Sequence, residues 1–336
     1  PGATLPRVRL VDLRIDPAEH GFARATVEAI RGRLARGEQS LVFINRRGYS
    51  PVLTCESCGW AAGCERCTAN LVLHAVGKRL RCHHCGWEEK IPRACPTCSR
   101  PGLRDVGVGS ERIEHDLARL LPTARIARMD SDTMRRREDY EETLGAFERH
   151  ELDVLVGTQM IAKGHDFPRV TLVGILAADQ ALNMPDFRNE ERTFQLLAQV
   201  AGRAGRAHLP GRVIVQTTDP DQQAIRLGAR VDYPAMARHL EEQRLKAAYP
   251  PFVRLCRVVF EDPELARCVA TTQRFEHALK DRFTSAGLSV TEAHPAPLAL
   301  VRGKHRQHLL LKFPLGDELL ARVLPWLMQE SQSETR

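Results

Sequence analysis

Several features that would assign a protein to a class at once are missing from this sequence of 336 residues. No run approaches eighteen consecutive apolar residues, and this absence excludes a membrane-spanning helix. No charged, apolar, cleavable leader is present, so nothing indicates secretion, and we expect a cytoplasmic protein. The sequence also lacks the G-x-x-x-x-G-K-[ST] loop that cradles nucleotide phosphates and an acidic D-E-x-H box that would hold Mg²⁺. We therefore expect no ATP hydrolysis from this chain alone.

The length and composition indicate a globular protein with more than one domain. A chain of 336 residues is too long for one ordinary hydrophobic core, so we predict two or three domains. The hydrophobic fraction of 43% is typical of soluble globular proteins. The formal net charge of +7 and the pI near 9.0 permit an anionic partner without requiring one.

Cysteine is the residue with the most informative spacing. Eight of the ten cysteines form C-x-x-C pairs. The pairs are Cys55/Cys58, Cys64/Cys67, Cys82/Cys85 and Cys95/Cys98. Eight thiolates are enough for two tetrahedral zinc sites, which would be structural because four thiolates leave no open coordination position. Disulfides are the alternative, which the absence of a secretion signal disfavours.

The residues between the second and third pairs predict how the four pairs combine. Residues 71–74 and 78–81 flank Val76-Gly77 and are typical of a β-hairpin. Such a hairpin would bring the second pair against the third around one zinc. The first and fourth pairs, where the chain enters and leaves this module, would then meet around the other. We therefore expect a nested arrangement.

Two sequence runs beyond the cysteines carry candidate chemistry, over residues 157–167 and 199–206. An apolar strand-like run ends at Thr158, where open α/β sheets place their ligands. Arg203 and Arg206 are one helical turn apart, so both guanidinium groups can face one phosphate group. Gly202 has no Cβ and allows close approach of a ligand or a facing domain. Such an arginine pair can stabilise charge on a transferring phosphoryl group. The alternative is a solvated pair of arginines.

The pattern of strands and helices predicts the domain organisation. Strands alternate with helices before and after the cysteines, which indicates a parallel sheet covered on both faces, with the cysteine module inserted into it. Near the C-terminus a β-α-β-β-α order predicts a small α+β domain of ferredoxin-like type. We predict a linker over residues 1–20, an α/β lobe over 21–52 and 101–222, a zinc-binding module over 53–100 and a C-terminal domain over 223–336.

Two basic stretches are candidates for contact with nucleic acid. Arg46 and Arg47 follow a short buried strand; they are either part of a basic turn or contacts to nucleic acid or to a facing lobe. The second stretch surrounds Gly303 and contains Arg302, Lys304 and Arg306. It is either a surface that follows a phosphate backbone or a solvated loop.

Taken together, the chain resembles the PriA replication-restart helicase family (primosomal protein N′) over nearly its full length. The resemblance is carried by the four cysteine pairs and by the runs at residues 43–49, 157–167, 186–188 and 199–206. It implies a RecA-like second helicase lobe with an inserted two-zinc ribbon module, followed by a small α+β C-terminal domain that binds DNA.

The resemblance also implies a function. A bacterial protein of this kind would recognise stalled or branched replication forks, unwind DNA with 3′-to-5′ polarity using ATP and Mg²⁺, and initiate primosome assembly. Its partners would be branched DNA, single-stranded DNA-binding protein and other primosome proteins, and we expect a monomer with no membrane association. By motif position, Thr158 would touch a DNA phosphate and Arg203 and Arg206 would meet the γ-phosphate. The nucleotide side of the cleft would be formed by Gly164, Asp166, Gln199 and Gly202.

The missing motifs qualify this expectation. In that family the phosphate-cradling loop and the acidic box belong to a first motor lobe, which this sequence lacks together with the N-terminal DNA-binding domain. We therefore expect the chain to be part of a longer helicase. The alternative is a non-catalytic, zinc-stapled platform that binds DNA and primosome proteins without turnover.

Overall fold

The computed structural model describes most of the chain in two compact units. The first unit comprises Pro1–Pro51 and Gly107–Arg238, and the second comprises Val52–Val106 and His239–Arg336. The described residues are 6–44, 52–55, 57–58, 60–74, 79–82, 84–106, 110–130, 133–134, 136–158, 161, 167, 169–183, 186–204 and 211–333. None of the described helices combines the length and the apolar character that crossing a bilayer requires.

The first unit is built on a six-stranded parallel sheet. With strands numbered in chain order, its members are β1 (Arg7–Asp12), β2 (Gln39–Ile44), β8 (Ile126–Met129), β9 (Val154–Gly157), β10 (Val170–Leu176) and β11 (Arg212–Thr217). They lie in the order β1-β11-β10-β2-β9-β8. The helices are α1 (Arg24–Leu34), α2 (Ser110–Leu120), α3 (Arg137–Glu148), α4 (Asn189–Ala201) and α5 (Gln223–Arg230), with a 3₁₀ helix at Ala178–Asn183.

Both faces of this sheet are buried, as β2 shows. All six residues of β2 are buried. Leu41 and Phe43 belong to one hydrophobic cluster, whereas Val42 and Ile44 belong to another. Because successive side chains of a strand point to opposite faces, the two clusters lie on the two sides of the sheet. The predicted α/β fold class is confirmed.

The lobe extends further at both ends than the predicted domain boundaries. Residues 7–12, which lie in the predicted linker, form β1, and this strand pairs in parallel with β11 from Arg7↔Arg212 onward. Helix α5, which we assigned to the C-terminal domain, instead contributes Ile225 to the core of the lobe. The next helix, α6 (Tyr233–Lys246), runs across the division between the two units.

The cysteine module contains a five-stranded antiparallel sheet in the order β6-β5-β4-β3-β7. Its strands are β3 (Val52–Cys55), β4 (Val72–His74), β5 (Arg79–Arg81), β6 (Glu88–Lys90) and β7 (Leu103–Val106). Strands β4 and β5 pair from Val72↔Arg81 to His74↔Arg79, which confirms the predicted hairpin. The short core of the module is formed by Leu53, Leu71 and Leu80 with four buried or half-buried cysteines.

The C-terminal domain is a four-stranded antiparallel sheet packed against helices. Its elements are β12 (Arg254–Asp262), α7 (Leu265–Phe283), β13 (Ser289–Val290), β14 (His294–Val301), β15 (Lys304–Phe313) and α8 (Glu318–Ser333), with a 3₁₀ helix at Thr284–Ala286. Strand β15 lies between β12 and β13 and is antiparallel to both, which is the split β-α-β arrangement of ferredoxin-like domains.

One strand of this domain was not predicted. Pro295 and Pro297 interrupt β14, and proline in a strand argues against a ladder because it cannot donate a hydrogen bond. Strand β14 nevertheless pairs with β15 at both of its ends, with an irregularity between Pro295 and Leu300. The basic stretch around Gly303, for which the sequence permits either a phosphate-tracking surface or a solvated loop, is a hairpin turn at Arg302-Gly303 followed by the start of β15.

Candidate metal centres and motor motifs

The eight paired cysteines form two clusters of four. One cluster is Cys55, Cys58, Cys95 and Cys98, and the other is Cys64, Cys67, Cys82 and Cys85. Within each cluster all four Sγ atoms lie within 4.8 Å of one another. The Cys58–Cys95 and Cys64–Cys85 Sγ separations are 3.5 and 3.6 Å. A tetrahedral Zn²⁺ with Zn–S bonds of about 2.3 Å places its sulfurs about 3.8 Å apart, so both clusters fit this ion. The predicted nested pairing is confirmed.

Neighbouring thiols of the first cluster differ in pKa. Burial disfavours the thiolate of Cys95, but the backbone N–H groups of Cys98 and Thr97 outweigh this effect and lower the pKa of Cys95 to about 6. The backbone N–H of Trp60 lowers the pKa of Cys58, yet burial and the neighbouring thiols raise that pKa to about 12. One thiol thus ionises readily and then opposes ionisation of its neighbour, whereas a bound Zn²⁺ would stabilise all four thiolates together.

The second cluster behaves in the same way. Burial disfavours ionisation of Cys85, but the backbone N–H of Trp87 and the neighbouring thiols lower the pKa of Cys85 to about 7. Burial and the thiols of Cys82 and Cys85 raise the pKa of Cys64 to about 12. With all four positions taken by sulfur, the ion would cross-link the module and leave no position for substrate.

In the α/β lobe, Thr158 follows the carboxyl end of β9. It is 8% exposed, and its carbonyl accepts a hydrogen bond from the N–H of Ile161 at 3.1 Å. The preceding residue, Gly157, allows two strands to approach closely, since a Cβ there would lie 2.6 Å from the carbonyl oxygen of Met129. Gly164 and Asp166, predicted on the nucleotide side of the cleft, lie outside the described residues.

Arg203 lies directly beyond α4. The helix ends at Ala201, Gly202 caps it, and the backbone N–H of Arg203 donates to the carbonyl oxygen of Val200 at 3.0 Å. Gln199 and Gly202 are exposed. A Cβ at Gly202 would make only ordinary contacts of 3.6 Å, so packing inside the lobe does not require glycine at this position. Arg206 lies outside the described residues.

An ion-pair cluster precedes α4. Asp186 accepts hydrogen bonds from Arg188 Nε at 3.1 Å and from Arg192 Nη1 at 2.9 Å. Burial works against ionisation, but the hydrogen bonds from Arg188 lower the pKa of the Asp186 carboxyl overall. These ion pairs stabilise the start of α4, the helix that leads to Arg203.

A second polar network in the lobe surrounds Asp130. Asp130 follows β8, its side chain is fully buried, and it accepts hydrogen bonds from Ser110, Thr133 and Arg128, the last at 2.9 Å. Arg128 also bonds Glu114 at 3.1 Å. In the sequence, an aspartate after a short strand is as typical of a helix start as of a functional residue, so the pattern alone does not predict this network.

Of the predicted basic residues, Arg302, Lys304 and Arg306 lie in the described part of the chain and have different contacts. Arg302 contacts the cysteine module, where its Nε donates to the carbonyl oxygen of His84 at 3.4 Å. Arg306 pairs with Glu261 at 2.9 Å, and Lys304 is exposed at the start of β15. Arg46 and Arg47 lie outside the described residues.

Comparison with known proteins matches each part of this architecture. Three family models match: the PriA DNA helicase Cys-rich region domain over residues 64–90, the helicase conserved C-terminal domain over 108–208 and the primosomal protein N C-terminal domain over 246–336. Among solved structures, RecG bound to a three-way DNA junction shares 14% identity at a TM-score of 0.40, over 75% of this chain and 23% of that one.

Curated relatives match over most of the chain. The replication restart protein PriA of Bacillus subtilis (strain 168) is 40% identical over 321 residues, which cover 94% of this chain and 40% of that protein. The PriA protein of Haemophilus influenzae is 37% identical over 315 residues, which cover 93% of this chain and 43% of that protein. The chain thus spans about two fifths of the length of these relatives.

The lobe with the parallel sheet matches the helicase C-terminal domain model, and the two four-cysteine clusters lie in a module inserted into it. The chain is therefore a helicase C-terminal lobe that carries a cysteine-rich ribbon module. More particularly, the chain belongs to the family of the replication restart protein PriA and corresponds to its C-terminal portion.

Proposed function

We propose that this chain is the C-terminal portion of an ATP-dependent 3′-to-5′ DNA helicase that recognises stalled or branched replication forks and initiates primosome assembly. In this proposal it acts in the cytoplasm as a monomer and contacts single-stranded DNA-binding protein and other primosome proteins. ATP and Mg²⁺ would bind with the help of a first motor lobe elsewhere in the whole protein. This chain would supply arginine fingers, DNA contacts and the zinc module.

The observation that carries the proposal is the placement of Arg203 on a rigid support. Val200, Ala201 and Ala204 are each 2% exposed and belong to the lobe's core, so the backbone on both sides of Arg203 is fixed by packing. A backbone fixed in this way reduces the conformational freedom that the arginine must lose when its guanidinium meets a γ-phosphate across a cleft. Arg206, three residues further along the sequence, would be the second finger.

Binding of DNA is proposed for the carboxyl edge of the same sheet. Thr158 would contact a DNA phosphate there, with Gly164, Asp166, Gln199 and Gly202 shaping the nucleotide side. Further phosphate contacts are proposed for Arg46, Arg47, Arg302, Lys304 and Arg306. Two zinc ions, held by the two four-cysteine clusters, would cross-link the inserted module so that it keeps its shape when it meets DNA or protein.

The alternative function, a non-catalytic zinc-stapled platform, is supported by the second unit. The cysteine module and the C-terminal domain form one compact unit, which would be sufficient to bind DNA and primosome proteins without turnover.

The test is an ATPase assay with and without forked DNA, on the whole protein and on this chain alone. We expect stimulated hydrolysis only in the whole protein. There, Arg203→Ala and Arg206→Ala should each lower kcat by about a thousandfold or more, as loss of an arginine finger does. Arg226→Ala, an exposed arginine on α5, is the matched control and should leave kcat unchanged.

Two outcomes would contradict the proposal. Retained hydrolysis in the Arg203→Ala protein would show that Arg203 is not an arginine finger. Binding of forked DNA without hydrolysis by the whole protein would favour the platform instead.

A further inference from the structure

The turn between β14 and β15 is joined to the cysteine module through backbone groups. The N–H of Gly303 donates to the carbonyl oxygen of Arg66 at 2.8 Å. The N–H of Thr68 donates to the carbonyl oxygen of Leu300 at 2.7 Å, and the N–H of Leu300 donates to the Thr68 hydroxyl. These contacts lie on either side of Cys67 in the sequence, so they hold the turn against that cysteine.

The same turn reaches the sulfur itself. The backbone N–H of Arg302 donates to Cys67 Sγ at 3.3 Å. The Arg302 side chain extends to the carbonyl oxygen of His84, which lies between the ligands Cys82 and Cys85 in the sequence. Val301 packs against the hydrophobic cluster of the module. One hairpin of the C-terminal domain therefore contacts both halves of the second cysteine cluster.

The conformation of the turn explains how two successive N–H groups face the module. Arg302 has φ of 54° and Gly303 has φ of 76°, the pair of positive values that a two-residue type I′ turn requires. Positive φ is unfavourable for arginine, and residues keep this backbone conformation where surrounding contacts stabilise it. The contacts with Arg66, Cys67 and Thr68 stabilise it here.

We propose that the cluster of Cys64, Cys67, Cys82 and Cys85 is a metal-linked joint that holds the C-terminal domain against the cysteine module. A bound Zn²⁺ keeps Cys67 as a thiolate, and a thiolate accepts the Arg302 N–H more strongly than a neutral thiol does. Because linkage is reciprocal, docking of the hairpin raises the metal affinity of this cluster by the same factor. Arg302 is a positioning residue in this joint. The inference depends on the metal site and not on helicase activity.

The other cluster provides the contrast. Three of its sulfurs accept hydrogen bonds from backbone N–H groups inside the module: Ser57 and Cys58 donate to Cys55, Trp60 to Cys58, and Thr97 and Cys98 to Cys95. We therefore expect the C-terminal hairpin to be linked to one of the two bound ions and not to the other.

The first test detects the Arg302 hydrogen bond directly. Zinc is replaced by an NMR-active cadmium isotope, and the scalar coupling between backbone amide protons and the metal is measured through the cysteine sulfurs. The Arg66 amide, which donates to Cys64 Sγ at 3.4 Å, is the internal reference. Cross-peaks from both Arg66 and Arg302 support the joint. An Arg66 cross-peak without one from Arg302 overturns it.

The second test measures the linkage. Thr68→Val removes the hydroxyl that accepts the Leu300 N–H and keeps the shape of the side chain. Competition with a chelator should then show an affinity about twofold to tenfold weaker for one of the two zinc ions, as expected for loss of one hydrogen bond. Thr291→Val is the matched control, because it removes a similar hydroxyl contact, to the N–H of Leu310 at 2.9 Å, within the C-terminal domain.

The outcomes separate the joint from general destabilisation. Weaker binding of a single ion in the Thr68→Val chain alone supports the joint. Unchanged affinities in both variants, or both ions weakened in both variants, overturn it.

Discussion

Gly228 of α5 packs directly on Leu197 of α4. A Cβ at position 228 would lie 2.8 Å from Leu197 Cδ1 and 3.0 Å from Leu197 Cβ. The second distance involves an atom next to the backbone, so a change of side-chain rotamer at Leu197 cannot relieve it. The close approach of these two helices places α5 within the α/β lobe and supports the helix that leads to Arg203.

We predict that Gly228→Ala destabilises the lobe. Overpacking of a close contact costs about 1–3 kcal/mol, and the better helix propensity of alanine offsets about 1 kcal/mol of that. The free energy of unfolding should therefore fall by up to about 2 kcal/mol, measured by urea denaturation. Gly32→Ala in α1 is the control, since nothing lies within 4 Å of the added Cβ. That control should instead stabilise by about 0.4–1 kcal/mol. If the two substitutions change the free energy of unfolding equally, the added Cβ at position 228 does not clash with Leu197.

The arrangement of cysteines could be predicted because its determinants are local. The short hairpin formed by β4 and β5 closes one cluster, and its flanks then define the other. The apolar runs of β2 and β9 are likewise typical of strands buried on both faces.

What could not be predicted depends on partners far along the chain. Strand β1 is recognised as part of the sheet only through β11, about two hundred residues later. Strand β14 pairs with β15 despite two prolines, because the ladder there is formed at its ends. The docking of Arg302 on Cys67 joins residues separated by 235 positions, and no local pattern specifies such a contact.

We predict that the chain binds two zinc ions and that each cluster can be removed separately. Cys64→Ser or Cys58→Ser should lower the zinc content from two ions per chain to one, because three sulfurs do not complete a structural site. Elemental analysis of the dialysed protein measures this. Cys256→Ser is the control, since Cys256 lies in β12, outside both clusters, and two ions should remain. A loss of zinc in the Cys256→Ser chain would contradict the assignment of the ligands.

Asp153 provides a prediction about acid stability. Arg125 donates to both of its carboxylate oxygens, Nη2 at 2.6 Å and Nε at 3.0 Å, and these bonds lower the pKa of Asp153 from its ordinary value of 3.8 although burial opposes them. Because the pKa is lower in the folded chain, the stabilisation is fully present above pH 3.8 and is lost as the pH falls through the folded pKa.

We therefore expect Asp153→Asn to be less stable than the unmodified chain at pH 7, with a difference that shrinks below pH 4. Urea denaturation at a series of pH values measures this difference. In a double-mutant cycle with Arg125→Gln, the coupling between the two residues should vanish at low pH. A difference that stays constant from neutral to acidic pH would mean that the ion pair contributes nothing.

The hairpin turn at Arg302-Gly303 supports a last prediction, on backbone conformation alone. Gly303 has φ of 76° and nothing lies within 4 Å of an added Cβ, so Gly303→Ala introduces strain without a clash. The left-handed region costs an L-residue about 1–2 kcal/mol, and the C-terminal domain should lose about that much stability. Gly63→Ala is the control, since its Cβ also meets nothing within 4 Å and its φ is not positive. Arg302→Asn should be tolerated, because Asn-Gly is the preferred pair for a type I′ turn. If Gly303→Ala and Gly63→Ala change the denaturation midpoint equally, the type I′ turn is not what holds this hairpin.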